Sequence, residues 1–116
     1  MIMLKLDHDP HAPRLSLREL VKRAKRAHRT IIALGERRSP SGRGWHRWLV
    51  VRPAPRTPHE IVALQLLFGS DPYREAYVLN RATQIARGRV PKQWQRADMW
   101  NVLYKRPAWG RESDTR

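Results

Sequence analysis

Trp45-His46-Arg47-Trp48-Leu49-Val50-Val51-Arg52 reads as a strand with unlike faces: His46, Trp48 and Val50 on one, Arg47, Leu49 and Val51 on the other. If Leu49 and Val51 pack against helices, His46 and Trp48 point to an uncovered face. Pro53-Ala54-Pro55 makes a short stiff exit. On the other side, Ser39-Pro40-Ser41-Gly42-Arg43-Gly44 reads as a hairpin loop, and Thr30 to Arg38 as the strand that enters it.

Nearer the N-terminus, Ile2, Leu4 and Leu6 alternate with Met3, Lys5 and Asp7, which is the period of a half-buried strand ended by Pro10 and Pro13. Asp7 and Asp9 then share the face opposite the leucines. Ser16 with Glu19 is a capping box for a first helix, whose expected buried stripe is Leu17, Leu20, Val21, Ala24, Ala27 and His28. Thr57-Pro58-His59-Glu60 starts a second helix that Gly69 stops. Asp71-Pro72 opens a third ending near Gly88, with Val78, Leu79, Ala82, Ile85 and Ala86 as its apolar stripe. Met99 to Tyr104 is read as a fourth strand.

The order β-α-β-β-α-(α)-β predicts an α+β fold. The simplest form is a two-layer RRM-like or ferredoxin-like sandwich, a four-stranded antiparallel sheet with helices on one face. Its first and third strands lie together at the centre, which sets Asp7 beside His46. Residues 1–106 form the expected single domain, and 107–116 a polar tail.

Lys and Arg number 24 against 10 Asp and Glu, a formal charge of +14. That field attracts polyanions without selecting a fold. Most of it is Arg, which forms planar contacts with phosphate and stacks on bases. The absence of Cys excludes disulfides, thiolate zinc sites and cysteine nucleophiles. No apolar stretch is long enough to span a bilayer, and the N-terminus does not resemble a signal peptide. An intracellular protein with no membrane partner is expected; the oligomeric state stays open.

Several residues could carry chemistry. Asp7 and Asp9 offer carboxylate oxygens suited to Mg²⁺ or Mn²⁺, or they are strand-end turn residues before Pro10. Asp71 reads either as a third carboxylate or as a helix N-cap, and Asp98 is an alternative. His8 and His11 have an HxxH spacing that admits a transition metal. Ser41, Gly42 and His46, with Arg37, Arg38, Arg43 and Arg52, are expected phosphate contacts. Trp48, Trp100 and Tyr104 are either base-stacking platforms on an open sheet or core residues. The basic stripe Arg18, Lys22 and Arg26 lies behind the expected site, as a solvated face, a wrapping path or a second interface.

Leu6-Asp7-His8-Asp9-Pro10, Ser41-Gly42-Arg43-Gly44-Trp45-His46 and Gly69-Ser70-Asp71 resemble the three motifs of archaeo-eukaryotic primase-polymerase domains. The resemblance runs roughly from residue 4 to 71, and its second motif is the most specific. It implies Asp7 and Asp9 as metal ligands, and Ser41, Gly42 and His46 as contacts to nucleotide phosphates. The family's cores carry a further α/β unit before the first motif, which this sequence does not show, and their third carboxylate sits on a strand. The expectation is therefore the RRM-like half alone, a non-catalytic single-strand binder of viral or archaeal type acting in replication, with DNA ahead of RNA and no cofactor. The alternatives are a minimal Mg- or Mn-dependent nucleotidyltransferase and a basic RNA-associated structural or regulatory protein.

Overall fold

The structure is a computed structural model that describes residues 2–9, 12–89 and 100–101. Its elements run β1 (Leu4–His8), α1 (Leu17–Arg26), β2 (Thr30–Arg38), β3 (Trp45–Arg52), α2 (Pro58–Leu67) and α3 (Pro72–Ala86). The strands form an antiparallel sheet in the order β1-β3-β2. β3 is thus the middle strand and pairs with β1 as expected; among the described residues no strand lies on the other side of β1. The mixed α+β class stands.

Register follows from burial. Leu4 pairs with Leu49, and these, with Leu6 and Val51, join Leu20, Ala24, Ile61, Val62, Leu64, Phe68, Val78 and Ala82 in one core. The helices therefore cover the Leu49 and Val51 face of β3. The opposite face carries Lys5 beside Trp48, Asp7 beside His46, and Gly35 and Arg37 from β2. A bulge between Ile31 and Ala33 resets the alternation of β2. Ile31 reaches the core while Ala33, Gly35 and Arg37 keep to the other face.

Local signals set the helix ends. The side chains of Ser16, Thr57 and Asp71 accept hydrogen bonds from the N–H groups of Glu19, Glu60 and Tyr73. At the other ends, α1, α2 and α3 share one closure. The N–H groups of Arg29, Ser70 and Arg89 reach back to the carbonyls of Ala24, Gln65 and Gln84, over a left-handed residue. Gly69 and Gly88 supply it for α2 and α3, but α1 uses His28, at φ 58°.

The expected stripe of α1 is only half right. Leu20 and Ala24 are buried, whereas Leu17 and Val21 are 56% and 52% exposed, and His28 is exposed. Arg23, between them in sequence, bonds Glu19 and the carbonyl of Leu67. The helix is thereby turned so that Leu17 and Val21 face outward. On α3, Leu79 is likewise exposed.

Among the described residues, the outer edge of β1 is bonded by side chains and one backbone N–H and not by a strand. The N–H groups of Lys5 and Asp7 donate to Gln65 Oε1 and Ser70 Oγ, while their carbonyls accept from Arg74 and from the N–H of Asp71. A strand added at Lys5–Asp7 would have to displace all four bonds. Of the expected fourth strand, Trp100 and Asn101 form a turn, and the rest lies outside the described residues.

Candidate functional site

On the face of the sheet away from the helices, Trp48 is partly exposed and sits directly across from Gly35 on β2 and Lys5 on β1. The guanidinium of Arg37 lies 5.5 Å from the centre of its ring. Met3, Ala33, Leu34, Gly35, Trp48 and Val50 line an open apolar depression of ≈ 460 Å³ beside it. Arg52 is exposed at the end of β3, and alternation puts it on this face too. An aromatic ring with an exposed apolar floor beside it and a cation over it can hold the flat, weakly polar face of a base.

At the hairpin end the face changes character. His46 stands on it as expected, but its side chain is buried and turned toward Asp7, with Nε2 3.5 Å from Oδ1. Burial is the main cause that lowers the His46 pKa to about 4, reinforced by Arg37, Arg74 and His8. Asp7 shifts the opposite way, to about 6. Burial is again the largest cause, opposed by Arg74 and joined by repulsion from Asp71, Asp9 and Glu75. Both groups are thus driven toward their neutral forms. His46 is therefore not exposed to take a phosphate.

The expected loop contacts also have other duties. Ser39 Oγ accepts from the N–H of Gly44, Ser41 Oγ accepts from that of Arg43, and the N–H of Gly42 goes to the carbonyl of Ser39. These loop N–H groups are thus bonded within the loop itself. Gly42 takes φ 76°, in the left-handed region. Gly44 answers to packing: a Cβ there would stand 1.9 Å from the carbonyl oxygen of His8. Arg43 is exposed at the loop tip. Arg38 is exposed too, but its register partner is Trp45, and it lies over that ring at 5.2 Å on the helix side, where Arg14 stacks at 3.6 Å.

Asp9 accepts from the N–H of Ala12 and closes the turn after β1, so the turn reading holds for it. Asp71 caps α3, and its backbone clasps β1. Among the described residues no three His, Cys, Asp or Glu are arranged to hold a metal ion. Trp100 is buried in the core at 7% exposure, which removes it as a stacking platform. Tyr104, Asp98 and His11 lie outside the described residues. Arg18, Lys22 and Arg26 are exposed on α1, away from the Trp48 face.

A buried polar cluster escaped sequence reasoning. Gln65, Ser70, Arg74, Glu75 and Asn101 are all at most 5% exposed. Glu75 accepts from Gln65, Ser70 and Arg74, and Asn101 bonds both Gln65 and Arg74. Through Gln65, Ser70 and Arg74 it also holds the edge of β1. The signal available was Gln65, a polar residue in the apolar run Ile61 to Phe68.

No family model, curated protein or solved structure matches this chain. Among the described residues, no helix is long and apolar enough to cross a membrane.

Proposed function

We propose that this protein binds single-stranded nucleic acid on the sheet face away from its helices, with single-stranded DNA the first substrate to test. The observation that carries the reading is the grouping of Trp48, Gly35 and Arg37: an accessible aromatic ring, open space beside it, and a cation over it. Unpaired bases stack on such a ring whatever their identity, and arginines around it hold the backbone. Arg43 and Arg52 extend the positive edge at the two ends of β3. The net charge of +14 supplies the long-range attraction.

The order β1-β3-β2 with helices on one face is compatible with an RRM-like sandwich, the fold in which such a face is a strand-binding surface. The proposed role needs only these three strands.

Gel shifts with single-stranded oligonucleotides test the role through Trp48→Ala and the double variant Arg37→Ala/Arg43→Ala. Each is expected to weaken binding while leaving the protein folded. Unchanged binding by both would overturn the assignment of this face.

A further inference from the structure

The depression beside Trp48 has a specific origin. Register places Gly35 opposite Trp48 and Ala33 opposite Val50, the two smallest side chains of β2 beside a large ring. Glycine inside a strand weakens it, and often marks close approach by a ligand or another backbone. Gly35 has no conformational excuse, since it is not among the glycines with positive φ. Nor does crowding require it: a Cβ there would meet only Cε3 of Trp48, at 4.0 Å. What Gly35 provides is the open space beside the indole.

We infer that this slot seats an unpaired nucleobase against Trp48 without reading which base it is. The inference rests on the single-strand reading above and specifies its contact. Met3, Ala33, Leu34, Gly35, Trp48 and Val50 bring no hydrogen-bonding side chain except the indole N–H, so the slot has little means of telling base edges apart. The Arg37 guanidinium, over the ring at 5.5 Å from its centre, suits the phosphate joined to a base seated in the space beside it. A paired base keeps its faces stacked inside the duplex and is excluded. Charge complementarity selects this occupant over a second copy of the chain, which would bring another +14 to the same surface.

The test fills the slot. Gly35→Val sets a β-branched side chain along the ring, and Ala33→Leu fills the same space from the neighbouring position in case the first variant does not fold. Binding is read from quenching of tryptophan fluorescence by homopolymeric dT, dA and dC oligonucleotides, with melting temperature as control. The expected result is a loss of about 5- to 100-fold in single-strand affinity in a variant that melts no lower than wild type, with the three homopolymers bound by the wild type within about tenfold of one another. Equal binding by wild type and folded variant overturns the slot and leaves the single-strand reading standing. A preference above 100-fold for one homopolymer overturns base neutrality. Failure of the wild type to bind any strand at low salt overturns both readings. A wild-type dimer that either variant converts to monomer gives the slot to a second copy and overturns the proposal.

Discussion

Asp7 Oδ1 and His46 Nε2 stand 3.5 Å apart across the β1–β3 pair, yet burial disfavours the charged form of each. Behind them, on the core side of β1, His8 is buried, and among the described residues neither of its ring nitrogens has a hydrogen-bond partner. Burial lowers its pKa to about 4, helped by Arg47 and opposed by the carbonyls of Ala12 and Gly69, neither of which completes a bond to the ring.

Stability should therefore fall with acid before ordinary carboxylates titrate. His8 and His46 take protons near pH 6.5 in the unfolded chain but only near 4 when folded, so their contribution is full above about 6.5 and is lost between 6.5 and 4. Asp7, raised to about 6, acts in reverse: the folded state holds a proton that the unfolded chain has released, which stabilises the fold as pH falls from about 6 toward 3.8. Each group is worth about 1.4 kcal/mol per pH unit within its window, so two histidines outweigh one carboxyl. Melting curves from pH 7.5 to 4.5 should show a net loss. His8→Leu should make that loss shallower and Asp7→Asn steeper; a pH-independent melting temperature would refute this.

His28 holds the left-handed end of α1, where α2 and α3 use glycine. A side chain there carries a strain that glycine does not. His28→Gly should stabilise the protein by about 1 kcal/mol in urea unfolding, with no change in strand binding. A loss of stability would show that the His28 side chain makes a contact worth more than the strain.

Gly44 is confined by the backbone of β1, so Gly44→Ala must push His8 away and open the β1–β3 end. The expected cost is about 1–3 kcal/mol or more, read as a lower urea midpoint with faster exchange of the β1 amides. Gly42→Ala meets no atom within 4 Å and suffers only from its positive φ. It should cost less than Gly44→Ala, and the reverse order would be inconsistent with this hairpin packing.

The buried cluster around Glu75 is satisfied as a set, so removing one charge strands the rest. Arg74→Met should cost about 3–5 kcal/mol, because the Glu75 carboxylate is then left without its cation. Glu75→Gln should cost less, since it keeps the shape and an acceptor. Thermal melts of both variants check the order.

What was legible in the sequence was local. The alternation of residues 45–52 assigned both faces of β3, and Ser16, Thr57-Pro58, Asp71-Pro72, Gly69 and Gly88 marked helix ends, because caps depend on residues a turn apart. Pairing of Asp7 with His46 followed once β1 and β3 were neighbours. What failed depends on distant partners. Leu17 and Val21 satisfy the helical period as well as Leu20 and Ala24 do, but only tertiary packing decides which pair turns inward. Gly44 reads as loop flexibility until the His8 carbonyl is beside it. That the Ser70 side chain and the Asp71 backbone hold the edge of β1 shows only once the distant elements are side by side.

The most direct measurement of strand binding is its salt dependence, by fluorescence anisotropy with a labelled dT oligonucleotide and a duplex of equal length. A strand held by arginines and a stacked base should bind more tightly than the duplex. Its log affinity should fall linearly with log salt, at a slope of about −0.7 for each phosphate neutralised. Binding that is insensitive to salt, a preference for the duplex, or no binding at low salt would contradict the assignment of this sheet face to single-stranded nucleic acid.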